Sequence, residues 1–336
     1  MKSLTMTGPS KRRPRFSIMR IVFMGTPEYA VHSLSALSDH GFEVAGVFTQ
    51  PDKPKGRHGR VSPPPVKIYA QAKDIPVFQP LKIRRDGVEA LRALAPDLCV
   101  TAAYGQILSQ ELLDIPRLGT VNVHASLLPR YRGSAPVNWC LIKGEPLTGV
   151  TTMMTDKGID TGDILLQREL TILPDETAGA LTQRLARLGA DVLMETLKAL
   201  ASGTCPRQAQ DESMMSYYPM LTKDMGLIDW RQSARSIANL VRGLNPWPYA
   251  CTVSPHGILR ILSAQAEKPH EGLPGQVLEA DDKRGLLIQT GAGALRVLSL
   301  QAQGGKAMQS EDYLRGHMIM SGTVLTDAVT TEEGKA

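Results

Sequence analysis

The feature that most constrains the fold is a series of short, uninterrupted apolar runs in the first half, each followed by a helical pattern. The runs at residues 20–24 and 42–49 lack the alternation typical of a half-exposed strand, so both faces of such strands must be buried. Between them, Pro27 stands where proline opens a helix, and the helix is predicted to reach about His40. This order predicts a parallel sheet covered by helices on both faces.

The same order continues along the first two thirds of the chain. Strands are predicted at 97–103, 119–124, 150–155 and 164–170, and helices at 66–73, 86–95 and 177–200. We therefore predict an α/β fold with a Rossmann-like N-terminal domain.

The last third has a different pattern, with one predicted helix at 233–242 and then short strands separated by turn residues. The predicted strands are 249–254, 258–266, 275–280, 285–290 and 294–301. Several short strands at close spacing are typical of a small barrel, so we predict an OB-like β-barrel.

A chain of 336 residues is long enough for two domains. We predict a basic extension at 1–18, expected to be disordered, a catalytic domain at 19–204, a linker at 205–223 and the barrel domain at 224–330. The linker is predicted from its polar, turn-rich composition.

The formal charge of +5 resides entirely in residues 1–18, and residues 19–336 balance to zero. The isoelectric point of about 9.0 therefore does not indicate a nucleic-acid-binding body. The extension has no apolar core and is not a secretory signal. Translation upstream of a start at Met19 is the favoured reading, and a short transit peptide is the alternative.

The four cysteines lie far apart and form no C-x-x-C pair. This favours a reducing compartment, which we expect to be the cytoplasm, over a disulfide framework or a cysteine-rich zinc site. No apolar run approaches the roughly 20 residues that a membrane span needs, so no membrane partner is expected. We expect a monomer.

The most informative stretch runs from Asn122 to Gly133. Asn122 and His124 are two residues apart, so on a strand they point to the same face. They end a predicted parallel strand, where ligands of α/β sheets bind. Asparagine can donate to a developing oxyanion, and histidine can serve as acid, base or oxyanion partner. A packed, hydrogen-bonded histidine would be the simpler reading of His124 alone.

A second polar cluster extends from Gly158 to Asp163 and contains Asp160. A carboxylate in such a tight loop can face a neighbour, and His124 is a candidate, although a plain turn aspartate is the commoner case. The oxygen spacing does not match an EF-hand, and the histidines have no metal-binding spacing. No metal is therefore expected.

A proline-stiffened loop at 50–67 carries Lys53, Lys55, Arg57, Arg60 and Lys67. An ordinary solvated loop is one reading. A loop of this length inside a compact domain is more often functional, and its basic side chains could bind phosphates.

Together these residues resemble the methionyl-tRNA formyltransferase family, from Met19 to about Gly316. The matching pieces are Phe23–Pro27, Gln50–Pro54 with Gly56–Arg57, Ala102–Gly105, Asn122–Gly133, Gly149–Met153, Gly158–Asp163, Ile228–Trp230, Asn245–Pro248 and Gly305–Met308. The Ser-Leu-Leu-Pro run alone indicates only enzymes that use 10-formyltetrahydrofolate, whereas Lys306 is the most specific piece.

The resemblance implies transfer of a formyl group from 10-formyltetrahydrofolate to the α-amino group of methionyl initiator tRNA. It implies that Asn122 and His124 stabilise the tetrahedral oxyanion and that Asp160 orients His124 and assists proton removal from the amine. The folate-binding residues it implies are Ser126, Leu127, Leu128 and Pro129. The tRNA-binding residues it implies are Arg57 and Lys306.

Three alternatives stay open on the residues alone. These are a formyltransferase acting on an amino sugar-nucleotide, a formyltetrahydrofolate hydrolase using the same Asn/His/Asp site, and a nucleic-acid-binding module with an inactive α/β domain. The intact trio of Asn122, His124 and Asp160 argues against the last. Because residues 225–336 hold eleven basic and eleven acidic residues, tRNA binding would depend on clustered charge rather than net charge.

Overall fold

The structure is a computed structural model that describes residues 19–55, 60–268 and 270–326. The extension at 1–18 and Arg57 lie outside the described residues.

The first two thirds of the chain alternate strands and helices. The strands are β1 (Arg20–Gly25), β2 (Glu43–Phe48), β3 (Lys53–Lys55), β4 (Arg60–Ser62), β5 (Val77–Phe78), β6 (Leu98–Ala102), β7 (Thr120–His124), β8 (Arg132–Gly133), β9 (Leu147–Met154) and β10 (Ile164–Thr171). The helices are α1 (Glu28–Asp39), α2 (Pro65–Ala72), α3 (Ile83–Asp86), α4 (Val88–Leu94), α5 (Gln110–Leu113), α6 (Pro136–Ile142) and α7 (Ala178–Ser202).

The remaining elements are mostly strands. They are two short 3-10 helices at Glu212–Met214 and Asp224–Gly226, β11 (Tyr217–Tyr218), α8 (Ala234–Gly243), β12 (Ala250–Ser254), β13 (Gly257–Glu267), β14 (Val277–Asp281), β15 (Gly285–Gln289), β16 (Ala294–Ala302), β17 (Ala307–Gln309) and α9 (Ser310–Gly316).

The predicted parallel sheet is confirmed. Its strand order is β10-β9-β7-β6-β1-β2-β5, and the pairs β5-β2, β2-β1, β1-β6 and β6-β7 are parallel. The β7-β9 pair is antiparallel. The carboxyl ends of β6 and β7 therefore lie at one edge of the sheet, where a ligand can reach them.

The sheet is anchored by strands with two buried faces, as their uninterrupted apolar sequences require. Ile21, Val22 and Phe23 are all fully buried, although consecutive side chains on a strand point to opposite faces. One covering layer packs Val22 and Met24 against helix residues that include Leu91. Each such buried aliphatic side chain stabilises the fold by roughly 1.5–3 kcal/mol.

The last third forms an open six-stranded sheet of order β12-β13-β16-β15-β14, with β17 paired to β16. The closed OB-like barrel that the sequence predicts is not confirmed. Among the described residues, segment 322–326 joins the two sheet edges through isolated bridges, from Val253 to Thr326 and from Gln276 to Val324, and through a few further backbone hydrogen bonds. This segment forms no strand that would close the sheet. One side of this sheet covers a core that contains Trp230, whose indole N–H donates to the Thr252 hydroxyl (3.0 Å).

Several short elements depart from the sequence expectations. The loop at 50–65 contains the hairpin β3-β4. The helix predicted at 86–95 is α4 (Val88–Leu94), and a separate short helix, α3 (Ile83–Asp86), precedes it across Gly87. The stretch predicted as a linker contains β11, which pairs with β8. Elements of two to four residues are fixed by their partners and leave no periodic pattern in the sequence.

The chain divides into two compact units whose segments interleave. The first contains residues up to 124, 150–168 and 186–210, and the second contains 125–149, 169–185 and the chain from 211 onward. No helix in the described part of the chain has the length and apolar character needed to cross a membrane.

Candidate active site

Asn122 and His124 occupy the carboxyl end of β7 on the same face, as their spacing predicts. His124 is buried, with 6% of its surface exposed, and Asn122 is half-buried. Val121 and Val123, which point to the opposite face, are also buried. The strand therefore presents an amide and an imidazole side by side at the edge of the sheet.

A neighbouring strand fixes the direction of the Asn122 amide. Thr101, in register with Asn122 on β6, donates its hydroxyl hydrogen to the Asn122 carbonyl oxygen over 2.9 Å. This bond assigns the amide oxygen to Thr101 and leaves the two N–H groups on the other side of the amide. Asn122 is thus oriented as a hydrogen-bond donor, which an oxyanion requires.

Asp160 lies beside the imidazole of His124. Its Oδ1 atom is 3.6 Å from His124 Nδ1, and the Asp160 side chain is only 16% exposed. A carboxylate at this separation from Nδ1 can hold the orientation of the ring. The structure thus brings together the three residues that the sequence assigns to catalysis.

The loop that carries Asp160 is held tightly from within. The Asp156 carboxylate accepts hydrogen bonds from the Gly158 amide (3.0 Å) and the Thr161 hydroxyl (2.7 Å). Asp160 has a φ of 55°, a left-handed conformation that costs energy in a residue with a side chain and persists only where its surroundings enforce it. These bonds provide that enforcement.

Gln210 holds the same loop from a distant point in the chain. Its amide nitrogen donates to the carbonyl oxygens of Asp160 and Gly162, both over 2.8 Å. At Gly162 a Cβ atom would stand 1.7 Å from the Met154 carbonyl oxygen, so no side chain fits there. The sequence does not predict the roles of Gln210, Thr101 and Asp156, because nothing local distinguishes them from other polar residues.

The predicted folate-binding residues belong to the second unit, in the loop that continues from β7. Ser126 is fully buried, and its hydroxyl donates to the Arg130 carbonyl oxygen over 2.8 Å. Leu128 is buried, whereas Leu127 and Pro129 are half-buried. Ser126 therefore shapes the loop, and Leu127 and Pro129 are the members with surface left to contact a ligand.

The two predicted tRNA-binding residues have different outcomes. Lys306 is exposed in the turn between β16 and β17, where its ammonium group can contact a phosphate. Arg57 lies outside the described residues, so its placement stays a prediction.

Side-chain hydrogen bonds hold together the two ends of the basic loop at 50–67. Lys67 Nζ contacts both carboxylate oxygens of Asp52, at 2.9 and 2.7 Å, and Gln79 donates to the same carboxylate over 2.7 Å. These bonds hold the pKa of the half-buried Asp52 carboxyl below its usual value. The ion pair joins the two ends of the loop, because Asp52 precedes β3 and Lys67 follows β4.

A metal-binding cluster of His, Cys, Asp or Glu side chains is absent from the described ranges. The polar groups at the carboxyl end of β7 are an amide, an imidazole and a carboxylate. They suit proton transfer and stabilisation of a developing negative charge.

Known protein families match most of the chain. Residues 19–197 match the family described as formyl transferase, and residues 220–318 match the family described as formyl transferase, C-terminal domain. A protein of Geobacter sulfurreducens named methionyl-tRNA formyltransferase is 48% identical over 315 residues, which cover 94% of this chain and 99% of that protein. A protein of the same name from Acetivibrio thermocellus is 49% identical, covering 91% and 99%.

Solved structures share the fold at low identity. HypX from Aquifex aeolicus, in complex with tetrahydrofolic acid, has a TM-score of 0.61 at 18% identity, over 88% of this chain and 47% of that one. An N-formyltransferase from Helicobacter canadensis, with folinic acid and dTDP-3-aminofucose, has a TM-score of 0.64 at 18% identity, over 83% and 99%.

Proposed function

Because this chain belongs to the methionyl-tRNA formyltransferase family, we propose that it transfers the formyl group of 10-formyltetrahydrofolate to the α-amino group of methionyl initiator tRNA. This reaction supports translation initiation. The observation that carries the proposal is the trio of Asn122, His124 and Asp160, gathered at the carboxyl end of β7 with the amide oriented to donate.

The reaction begins when the neutral amine attacks the formyl carbon. The carbonyl oxygen becomes an oxyanion, toward which the N–H groups of Asn122 and the Nε2 atom of His124 donate. Each such donor is worth roughly 3–4 kcal/mol of transition-state stabilisation. Because Nδ1 faces Asp160, Nε2 is the ring nitrogen on the side away from the carboxylate.

Collapse of the intermediate breaks the bond between the formyl carbon and N10 of the folate. The amine gives up one proton as the new C–N bond forms, and N10 gains one as it leaves, so the overall reaction consumes and releases no proton. Asp160 assists removal of the amine proton and keeps His124 in its orientation. General acid–base assistance of this kind contributes typically 10²–10⁴-fold to the rate.

The folate would lie against Leu127, Leu128 and Pro129, with Ser126 shaping that loop. Arg57 and Lys306 would contact the tRNA, and the last third of the chain would act as an OB-like tRNA-binding domain at 224–330. A catalytic domain at 19–204, a linker at 205–223, a monomeric state and a cytoplasmic location complete the proposal.

The test is formyl transfer from 10-formyltetrahydrofolate to charged initiator tRNA by the intact chain and by the His124→Ala and Arg57→Ala variants. We expect the intact chain to be active and both variants to lose transfer, with folate binding retained in Arg57→Ala. Formate release or formylation of an amino sugar by an intact chain that leaves the tRNA unmodified would reject the acceptor.

A further inference from the structure

The loop from Ser126 to Gly133 is hydrogen-bonded, from Pro129 onward, to the chain at 211–219, the positioning segment. The Tyr131 amide donates to the Ser216 hydroxyl over 2.9 Å. The Arg132 amide donates to the Ser216 carbonyl oxygen over 2.9 Å, and the Ser216 amide donates to the Pro129 carbonyl oxygen over 3.3 Å. One serine thus holds three consecutive parts of the loop.

An ion pair between the buried Arg132 and the exposed Glu212 reinforces this attachment. Arg132 is only 4% exposed, and its guanidinium donates to both carboxylate oxygens of Glu212, over 3.0 and 2.7 Å. Paired, parallel bonds of this kind fix direction as well as distance. The guanidinium holds the pKa of the Glu212 carboxyl below its usual value.

Gly133 allows the backbone of the positioning segment to approach the loop closely. Its φ is +109°, and a Cβ atom there would stand 2.3 Å from the Tyr218 carbonyl oxygen. The Tyr218 ring stacks on Tyr131 at 5.0 Å and on Trp139 at 5.1 Å between ring centroids. A side chain at residue 133 would separate the paired strands β8 and β11.

We propose that the positioning segment, through Ser216 and Glu212, holds the Leu127–Pro129 wall in the shape that binds the folate co-substrate. This inference rests on the proposed function of that wall. A loop that is already ordered loses less conformational entropy when a ligand binds. The segment that the sequence marks as a linker is thereby a determinant of donor affinity.

The effect is expected in donor binding rather than in the chemical step. The three hydrogen bonds of Ser216 join it to Pro129, the last residue of the wall, and to Tyr131 and Arg132, which follow the wall in sequence. Weakening them makes the loop adopt several conformations in the free protein, and only one of these binds the donor. When only a fraction of the free protein has the binding conformation, the observed dissociation constant is the intrinsic one divided by that fraction.

The test uses the full chain with Ser216→Ala and Glu212→Gln, and Ser213→Ala as the matched control. The Ser213 hydroxyl bonds to Asp211 within the segment (2.7 Å), so its loss leaves the loop attached. We expect the dissociation constant of 5-formyltetrahydrofolate and the KM for the formyl donor to rise about five- to tenfold in the first two variants. The kcat and the KM for tRNA should stay within about twofold, the usual scatter of distant changes.

Ser216→Thr keeps the hydroxyl that accepts from the Tyr131 amide, so its donor binding should match that of the unchanged chain. A lower melting temperature with unchanged donor binding would overturn the proposal. If the intact chain binds the donor but does not formylate tRNA, the proposed acceptor is wrong. The positioning role would still hold in that case, provided that the variants weaken donor binding. An intact chain that binds no folate would overturn both.

Discussion

At the residue scale, the orientation of the Asn122 amide depends on one hydroxyl. Thr101 and Asn122 are paired across β6 and β7, and the threonine is buried, with 7% of its surface exposed. Without that bond the amide can rotate and present its oxygen to the developing negative charge. The orientation of the Asn122 amide therefore depends on Thr101 of β6 as well as on Asn122 itself.

Replacing Thr101 with valine keeps the shape of the side chain and removes the hydroxyl. We expect kcat for formyl transfer to fall about fivefold, which is the value of one hydrogen bond of roughly 1 kcal/mol. Asn122→Ala should cost about 10²–10³-fold, because it removes the donor itself. Steady-state kinetics with saturating folate measure both.

Thr49→Val is the matched control. Thr49 is also fully buried, and its hydroxyl has no hydrogen-bond partner among the described residues. Its loss should leave kcat unchanged. Equal effects at residues 49 and 101 would show that the amide orientation does not depend on the hydroxyl.

Cys99 gives a prediction about alkaline stability. Burial raises the pKa of this thiol to about 12, because the thiolate would lose its hydration. Because the folded-state pKa lies above the unfolded value, the contribution of the Cys99 thiol to the free energy of unfolding is fully present below about pH 9. It is lost as the pH rises toward 12, at up to about 1.4 kcal/mol per pH unit.

Urea unfolding between pH 8.5 and 11 measures this effect. The free energy of unfolding of Cys99→Ala should fall less steeply with pH than that of the unchanged chain, since alanine does not titrate. Identical slopes would mean that the thiol does not contribute. Cys251→Ala is a comparison because Cys251 is only partly buried.

At the element scale, the loop between β9 and β10 is the least replaceable part of the site. Asp156 and Gln210 hold it by four side-chain hydrogen bonds, and Asp160 keeps a left-handed backbone conformation. The loop therefore holds the Asp160 carboxylate in a fixed position. Its glycines serve close packing rather than flexibility.

We expect Gly162→Ala to reduce kcat by at least tenfold, because the methyl group would stand 1.7 Å from the Met154 carbonyl oxygen and displace the loop. A misplaced catalytic group of this kind can cost about 10²-fold. Gly316→Ala is the control, since a Cβ atom at Gly316 meets nothing within 4 Å. An unchanged kcat in Gly162→Ala would contradict the inference that activity requires this loop to hold Asp160 in a fixed position.

The elements differed in how far their sequences predicted them. The long helix α7 and the buried strands of the first sheet were predicted within a few residues, because a helical stripe or an uninterrupted apolar run extends over several side chains. The hairpin β3-β4 and strands β5, β8 and β11 were missed. Two- and three-residue strands are defined by the partner they pair with, and the partner is distant in sequence.

At the scale of the whole molecule, the balance of charge is the unusual property. The chain from residue 19 onward carries no net charge, yet the proposed substrate is a polyanion. Binding must then rely on local clusters such as the basic loop and Lys306. Salt sensitivity should be moderate, because each phosphate contact contributes about one counterion to the salt dependence.

Lys306→Ala should raise the KM for tRNA and reduce the slope of log KM against log salt concentration by about one. The KM for the folate donor should stay the same. Lys198→Ala, an exposed lysine on α7, is the matched control and should leave the slope unchanged. A Lys306→Ala slope equal to that of the unchanged chain would remove Lys306 from the tRNA-binding residues.

The sequence by itself determined the parallel sheet and the pairing of Asn122 with His124, because strand periodicity is local and two residues apart always share a face. It also indicated Asp160 through its glycine-rich loop. Only the tertiary structure decided that Thr101 orients Asn122, that Gln210 holds the Asp160 loop, and that Ser216 and Glu212 attach to the loop after β7. These contacts join distant parts of the chain, and packing rather than local pattern selects which polar side chains meet.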